Sequence, residues 1–400
     1  MSMFAVQDGS PAESPSVEPL AIDLDAAAST APTPAVIAAM ANALGYQYGN
    51  PSSAHWRGEN ARILLAEARY RVADLVSGGD SEGVIFTSGC TEANNLVLAS
   101  FARSGSRIIT SAVEHPSVLN TARYLASIGA SVELLPVDTT GRVDLDQLRA
   151  AIAASQAPAL VSIQAANSDT GVRQDLRAIA ELLEPLPAVF HADAAQAAGK
   201  VDLALGRGRG PDLVTVSAHK LNGPMGIGAV IPAEDLEAEL APLIHGGGQE
   251  GGIRSGTQSV PSIAGFAVAS EEWVAQARMR REHLAVLREV LESRLRQIDG
   301  IVINGASADR APHVSSITFA ECDAMALVLH LDRRGVAVSQ GSACSSRRPE
   351  ASPTLVAMGL DEEAAFSTVR FSISIRNQVD DVVRAAELTG EVVSQLRAKR

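Results

Sequence analysis

The sequence is poor in cysteine: Cys90, Cys322 and Cys344 are the only three in 400 residues, far apart and without ligand-like spacing. That scarcity argues against a disulfide framework and against a zinc site, so no metal is expected and a reducing cytoplasm is the expected setting. Blocks of basic residues are also missing, and the formal net charge is −13. A polynucleotide binder needs a basic stripe to displace counterions, so no nucleic-acid partner is expected. No stretch is apolar and long enough to cross a bilayer, which removes a membrane span. There is no GxxxxGK[ST] loop, and the glycines of Gly223-Pro224-Met225-Gly226-Ile227-Gly228 precede a strand instead of opening a helix, so nucleotide binding is disfavoured. No internal repeat is present. Residues 1–20, rich in Ser, Pro and Glu, lack the basic start and apolar run of a signal peptide and read as a disordered tail.

What is present is a globular composition, 46% hydrophobic and 20% charged, in a chain long enough for two or three modules. After residue 80, β-rich runs alternate with helical stretches. The strand candidates are Gly83–Thr87, Arg107–Thr110, Val132–Val137, Ala159–Ile163, Ala188–Ala192, Leu213–Val216 and Gly228–Ile231, with amphipathic segments at Pro116–Ile128, Leu145–Ala154 and Asp175–Leu183. This alternation predicts an α/β fold whose large domain, residues 21–270, holds a mostly parallel seven-stranded sheet flanked by helices. A long helical region, about Ser262 to Ile298, leads into a smaller α+β domain, residues 271–400, with strands at Ser315–Phe319 and Val369–Ser374 and a last helix near Asp380–Ala398. The first ordered residues can join that small domain. Ligands of parallel sheets gather where strands end, so polar residues there carry most weight.

Four segments satisfy that condition. Val214 to Ser217 is a β run closing on Ala218-His219-Lys220; a lysine held rigidly there can form a Schiff base with an aldehyde cofactor, and Ser217 and His219 can bond a phosphate. The ordinary alternative is an exposed loop lysine. Phe190-His191-Ala192-Asp193 is an apolar run closing on a carboxylate, which suits a protonated pyridine nitrogen, with Gln196 in reach of the ring hydroxyl; a helix N-cap aspartate is the alternative. Thr87-Ser88-Gly89-Cys90-Thr91 leads a strand into a helix whose free N–H groups, with the Thr91 hydroxyl, can hold a phosphate, although Thr91 as a plain N-cap fits too. Glu114-His115-Pro116 places His115 at another strand end, where it can stack on an aromatic cofactor and move protons. The loop from His245 to Thr257 is glycine-rich and reads as a close backbone approach or as a hinge.

Further on, Gly341-Ser342-Ala343-Cys344-Ser345-Ser346-Arg347-Arg348 sets a cysteine among small polar residues beside two arginines, a setting that favours exposure and the thiolate. Arg370 interrupts an otherwise apolar run, as suits a gripped carboxylate or a structural ion pair.

Taken in order, these segments resemble the cysteine desulfurases of the NifS/IscS type, in the class V aminotransferase group of fold-type I pyridoxal-phosphate enzymes. The resemblance runs from Leu24-Asp25 to Arg370 and includes Gly49-Asn50-Pro51-Ser52-Ser53, Thr87-Ser88-Gly89, Thr91-Glu92, Glu114-His115, Asp193, Gln196, Ser217, His219-Lys220, Arg254-Ser255-Gly256-Thr257 and Gly341-Ser342-Ala343-Cys344. It implies pyridoxal 5'-phosphate on Lys220, with Asp193 paired to the pyridine nitrogen, His115 stacked on the ring and the phosphate held by Thr91, Ser217 and His219. It further implies a homodimer with shared active sites in which Thr257 reaches the partner's phosphate, Arg370 on the substrate carboxylate, and Cys344 as nucleophile. L-cysteine would yield alanine and a Cys344 persulfide for an acceptor protein such as an iron–sulfur scaffold. A selenocysteine lyase is the nearest rival, and a catalytically silent regulator or scaffold a more distant one. The chain departs from the family at Asn167-Ser168-Asp169, where Asn-Asn-Glu is usual and Ser168 takes the place of a cofactor-contacting asparagine. It departs again at Cys90, where small residues are usual, and at Gly251, where arginine is common.

Overall fold

The computed structural model of the chain describes residues 21–77, 79–80, 82–233, 236–341 and 351–398. Its seven-stranded sheet runs in the order β2-β8-β7-β6-β5-β3-β4. The strands are β2 (Ile85–Thr87), β3 (Arg107–Ser111), β4 (Val132–Leu135), β5 (Ala159–Ser162), β6 (Ala188–Asp193), β7 (Leu213–Ser217) and β8 (Gly228–Pro232). Pairings among β3 to β7 are parallel, whereas β8 is antiparallel to both β7 and β2. Between strands lie α3 (Cys90–Arg103), α4 (Pro116–Ser127), α5 (Leu145–Ala153) and α6 (Leu176–Leu183).

The continuous apolar runs follow from burial on both faces. Ile108 and Leu160 pack with Leu96, Val97 and Val118 of α3 and α4, while their neighbours Ile109 and Val161 pack with Ile152 and Ile179 of α5 and α6. Adjacent strand residues point to opposite faces, so neither face can be polar. The intervening helices start where the side chains permit: Asp144 caps α5 through the Asp146 and Gln147 N–H groups, and Asp175 caps α6 through Ala178.

The remaining elements are β1 (Ile22–Asp23), α1 (Pro34–Tyr46), α2 (Trp56–Ala73), α7 (Val260–Leu295), β9 (Ile301–Ile303), β10 (Val314–Phe319), α8 (Ala324–Asp332), β11 (Val336–Ala337), α9 (Pro353–Ala357), α10 (Glu362–Phe366), β12 (Thr368–Ser372) and α11 (Val379–Arg397). β12, β10 and β9 form an antiparallel sheet, and β1 pairs in parallel with β11. Thus the first described strand joins the C-terminal part of the chain. The single helix α7, 36 residues and about 54 Å long at 1.5 Å per residue, runs unbroken through 265–280 and packs on α1, α2 and α11. Its buried Trp273 donates through Nε1 to the Leu221 carbonyl at 3.0 Å. Gly199 lies under that ring: a Cβ there would stand 2.8 Å from it.

Candidate active site

Strands β2, β3, β5, β6 and β7 point the same way, so Thr87, Ser111, Ser162, Asp193 and Ser217 end together on one edge of the sheet. Asp193 is buried there. Its carboxylate accepts from Asn94 Nδ2 at 2.7 Å and from the Ala195 N–H at 2.9 Å, and the Cys90 thiol lies 3.4 Å from Oδ1. Burial first, and then the charge of Asp193, push the Cys90 thiol well above its ordinary range. Cys90 opens α3 and turns its sulfur onto Asp193. Gly89, which precedes it, provides no side-chain cap, so the first N–H groups of α3 remain available to an anion. Gly228 of β8 crosses directly beneath, where a Cβ would meet the Gly89 Cα at 2.8 Å and the Val216 carbonyl at 2.6 Å. The close approach requires glycine.

Lys220 ends a single 3-10 turn, Ala218–Lys220, immediately after β7. Its Nζ donates to the Ala28 carbonyl at 2.7 Å and to the Ala27 carbonyl, which also accepts from Gln196 Nε2 at 2.9 Å. Lys220 and Gln196 therefore meet at one oxygen. Gln196 Oε1 faces His313 Nε2 at 3.0 Å. Lys200 Nζ donates to the Lys220 carbonyl at 2.7 Å, and burial, then the charge of Lys220, bring that amine down to about 7. Burial likewise lowers His219 to about 4, and its Nδ1 lies 3.3 Å from Ser29 Oγ.

His115 caps α4, its Nδ1 accepting from the Ser117 N–H at 3.1 Å with Ser117 Oγ at 2.8 Å. A groove of about 440 Å³ opens beside it, lined by Thr91, Asn95, His115, Ser117, Asn120 and Tyr124. The neighbouring Glu114 is buried and accepts from Ser111 Oγ at 2.6 Å and from the Gln164 N–H; burial raises it to about 8, with the charge of Asp193 acting in the same sense.

Arg370 of β12 is also buried. One Nη donates to Asp25 at 2.8 Å and the other to the Ser168 carbonyl at 3.2 Å, with Asp169 at 3.8 Å and Nε without a partner among the described residues. The Asn167 side chain organises its own turn, accepting from Asp169 N–H and Thr170 N–H and donating to the Val113 carbonyl. Ser168 Oγ lies 3.4 Å from Asp169. Arg254 pairs with Glu92 at 2.8 Å; burial alone would raise Glu92, but Arg254 and Ser88 outweigh it and hold the carboxyl low. Thr257, just beyond, is exposed. Gly251 has φ 63°, a conformation that favours glycine over the family's arginine. Cys344 lies outside the described residues.

The sequence reading passed over Asp25 as the partner of Arg370, Lys200 behind Lys220, and the roles of Asn94, His191 and Thr215. The available signal for His191 and Thr215 was a polar residue inside a largely apolar strand.

A fold of this topology, with a lysine after one central strand and a carboxylate closing the next, is that of a class V aminotransferase. The profile of that family, "Aminotransferase class-V", matches residues 22–384, and the chain belongs to it, in the branch of the cysteine desulfurases of NifS/IscS type. It is 37% identical over 372 residues to "Cysteine desulfurase IscS 1" of Archaeoglobus fulgidus, covering 91% of this chain and 94% of that one. A solved NifS-like protein superposes with TM-score 0.86 at 32% identity, over 94% of this chain and all of the other. SspA, solved in complex with cysteine, gives TM-score 0.75 at 31% identity, over 88% of this chain and 98% of its own.

Proposed function

We propose that the chain is a pyridoxal-phosphate-dependent cysteine desulfurase, converting L-cysteine to L-alanine and passing the sulfur to Cys344 as a persulfide. The observation that carries this reading is the meeting of Lys220 and Gln196 at the Ala27 carbonyl, beside a buried Asp193 held by neutral donors. A buried carboxylate in such company is stabilised by a cation, and a protonated ring nitrogen is one. The donor set fits the cofactor: Asp193 for the ring nitrogen, His115 for the ring face, Gln196 for the ring hydroxyl, and Thr91, Ser217, His219 and the start of α3 for the phosphate. Cys90 would flank the ring through Asp193, and Asn167 and Ser168 would shape the turn on the ring-hydroxyl side. When bound, the cofactor supplies an electron sink for charge developing at the substrate α-carbon.

The residues then divide the work. Arg370 grips the substrate carboxylate, and Asp25 and the Ser168 carbonyl aim the guanidinium. Lys220 Nζ moves the α-proton, and His115 serves proton transfer near the ring. The Cys344 thiolate attacks the substrate sulfur; the carbon–sulfur bond breaks, a sulfur–sulfur bond forms, and the carbon takes up a proton to become alanine. L-cysteine plus thiol thus balances alanine plus persulfide. The reading includes a homodimer in which Thr257 completes the partner's phosphate site, a sulfur acceptor protein such as an iron–sulfur scaffold, and a cytoplasmic setting. Among the described residues no helix is long and apolar enough to cross a membrane. The test is Cys344→Ser: it should retain the visible absorption of the bound cofactor and lose sulfide release from cysteine. Release at the wild-type rate would overturn the assignment.

A further inference from the structure

Behind Asp193 runs a line of buried polar side chains for which the desulfuration scheme has no use. Ser162 Oγ lies 2.9 Å from His191 Nδ1, His191 Nε2 lies 3.1 Å from Thr215 Oγ1, and Thr215 Oγ1 lies 2.5 Å from Asn94 Oδ1. Ser162, His191, Thr215 and Asn94 are all fully buried. The sheet sets their spacing: Ser162 stands opposite His191 across β5 and β6, and Asp193 opposite Thr215 across β6 and β7. His191 and Asp193, two apart on one strand, share a face.

The direction of the line follows from its chemistry. Asn94 Oδ1 can only accept, so the Thr215 hydroxyl donates to it. The Thr215 oxygen then accepts from His191 Nε2–H, and the bare Nδ1 accepts from the Ser162 hydroxyl. Burial brings His191 down to about 4, which keeps the ring neutral as this pattern requires. Asn94 is thereby locked with its Nδ2 turned outward. One N–H goes to Asp193 at 2.7 Å and the other to Ser117 Oγ at 2.9 Å, and Ser117 holds His115 Nδ1. A single amide therefore serves both groups assigned to the cofactor ring.

We propose that His191 and Thr215 are positioning residues that, through Asn94, aim the Asp193 carboxylate at the cofactor's ring nitrogen and orient His115; this rests on the pyridoxal-phosphate reading above. The test uses the full-length apoprotein and two ligands, pyridoxal phosphate and its 1-deaza analogue, in which a carbon replaces the ring nitrogen. Thr215→Val keeps the side-chain shape and removes the hydroxyl, and Thr215→Ser restores it; His191→Phe and His191→Gln form the second pair. Losing one buried hydrogen bond in the line should weaken pyridoxal phosphate about tenfold in Thr215→Val and His191→Phe, leave the deaza analogue within about twofold, and be reversed in Thr215→Ser and His191→Gln. Equal losses for both ligands would show that the line does not act through Asp193 and would overturn the proposal, leaving the cofactor reading intact. Failure of the wild-type protein to bind either ligand would overturn both.

Discussion

Two buried charges assigned to the site are held differently. Asp193, at the end of β6 in the large sheet, receives an amide, a backbone N–H and a thiol, all neutral groups. Arg370, in β12 of the small sheet, leans on Asp25 and lies near Asp169. Neutral donors orient a carboxylate without cancelling its charge, so Asp193 still calls for a cation from the ligand. Two acids beside Arg370 already offset much of its charge, so a substrate carboxylate must compete with them. One end of the site is built for strong, lasting pairing and the other for exchange, as suits a retained cofactor and a substrate that turns over.

The difference can be broken from either side. Asp193→Ala should have the largest effect: loss of one member of a buried ion pair costs about 3–5 kcal/mol, or roughly 10²–10⁴-fold in kcat/KM, with weakened cofactor retention seen in the visible spectrum. Arg370→Leu should lower kcat/KM for cysteine by about 10²-fold while leaving the cofactor spectrum unchanged. A spectrum that also collapsed would show that the two charges are not separate.

Glu114 sharpens the contrast, since it is a second buried carboxyl near Asp193 and is raised from 4.5 to about 8. The folded chain binds that proton more tightly than the unfolded one. The associated stability is fully present below pH 4.5 and is lost as pH rises toward 8. Burial lowers His191, His219 and His313, which act in the opposite sense below pH 6.5, so thermal unfolding reads the Glu114 contribution as a difference. The Tm advantage of the wild type over Glu114→Gln should shrink as pH rises across this range. Asp25→Asn should act least: its carboxylate is partly exposed, so loss of the pair should change KM for cysteine only about two- to fivefold, with kcat nearly constant.

Much of the fold was legible because the sheet strands are apolar on both faces and α4, α5 and α6 between them begin at Pro or behind a capping Asp. Strands β3 to β7 fall within a residue or two of the positions expected from their apolar runs. The antiparallel insertion of β8 was not legible, since Gly228–Pro232 is as apolar as its parallel neighbours. The helices α1 and α2 did not stand out either; α1 is apolar nearly all round and α2 carries charge on several sides. Within the site, Lys220, Asp193, His115 and Arg370 announce themselves as charged or titratable residues at strand ends or inside an apolar strand. Ser162, His191 and Thr215 do not. Each is a polar residue set in a largely apolar strand, and only the spatial order β5-β6-β7 makes them neighbours. Asp25 and Arg370 likewise lie 345 residues apart and meet only because the chain's first strand returns to its C-terminal part.

The central claim is that sulfur leaves cysteine onto one cysteine of this chain. Mass analysis of the Cys344 peptide after brief treatment with L-cysteine, alongside alanine quantified from the same sample, tests it most directly. The account predicts one added sulfur on Cys344, absent from Cys90 and Cys322, with alanine formed in step. Alanine accumulating while Cys344 stays unmodified would contradict it.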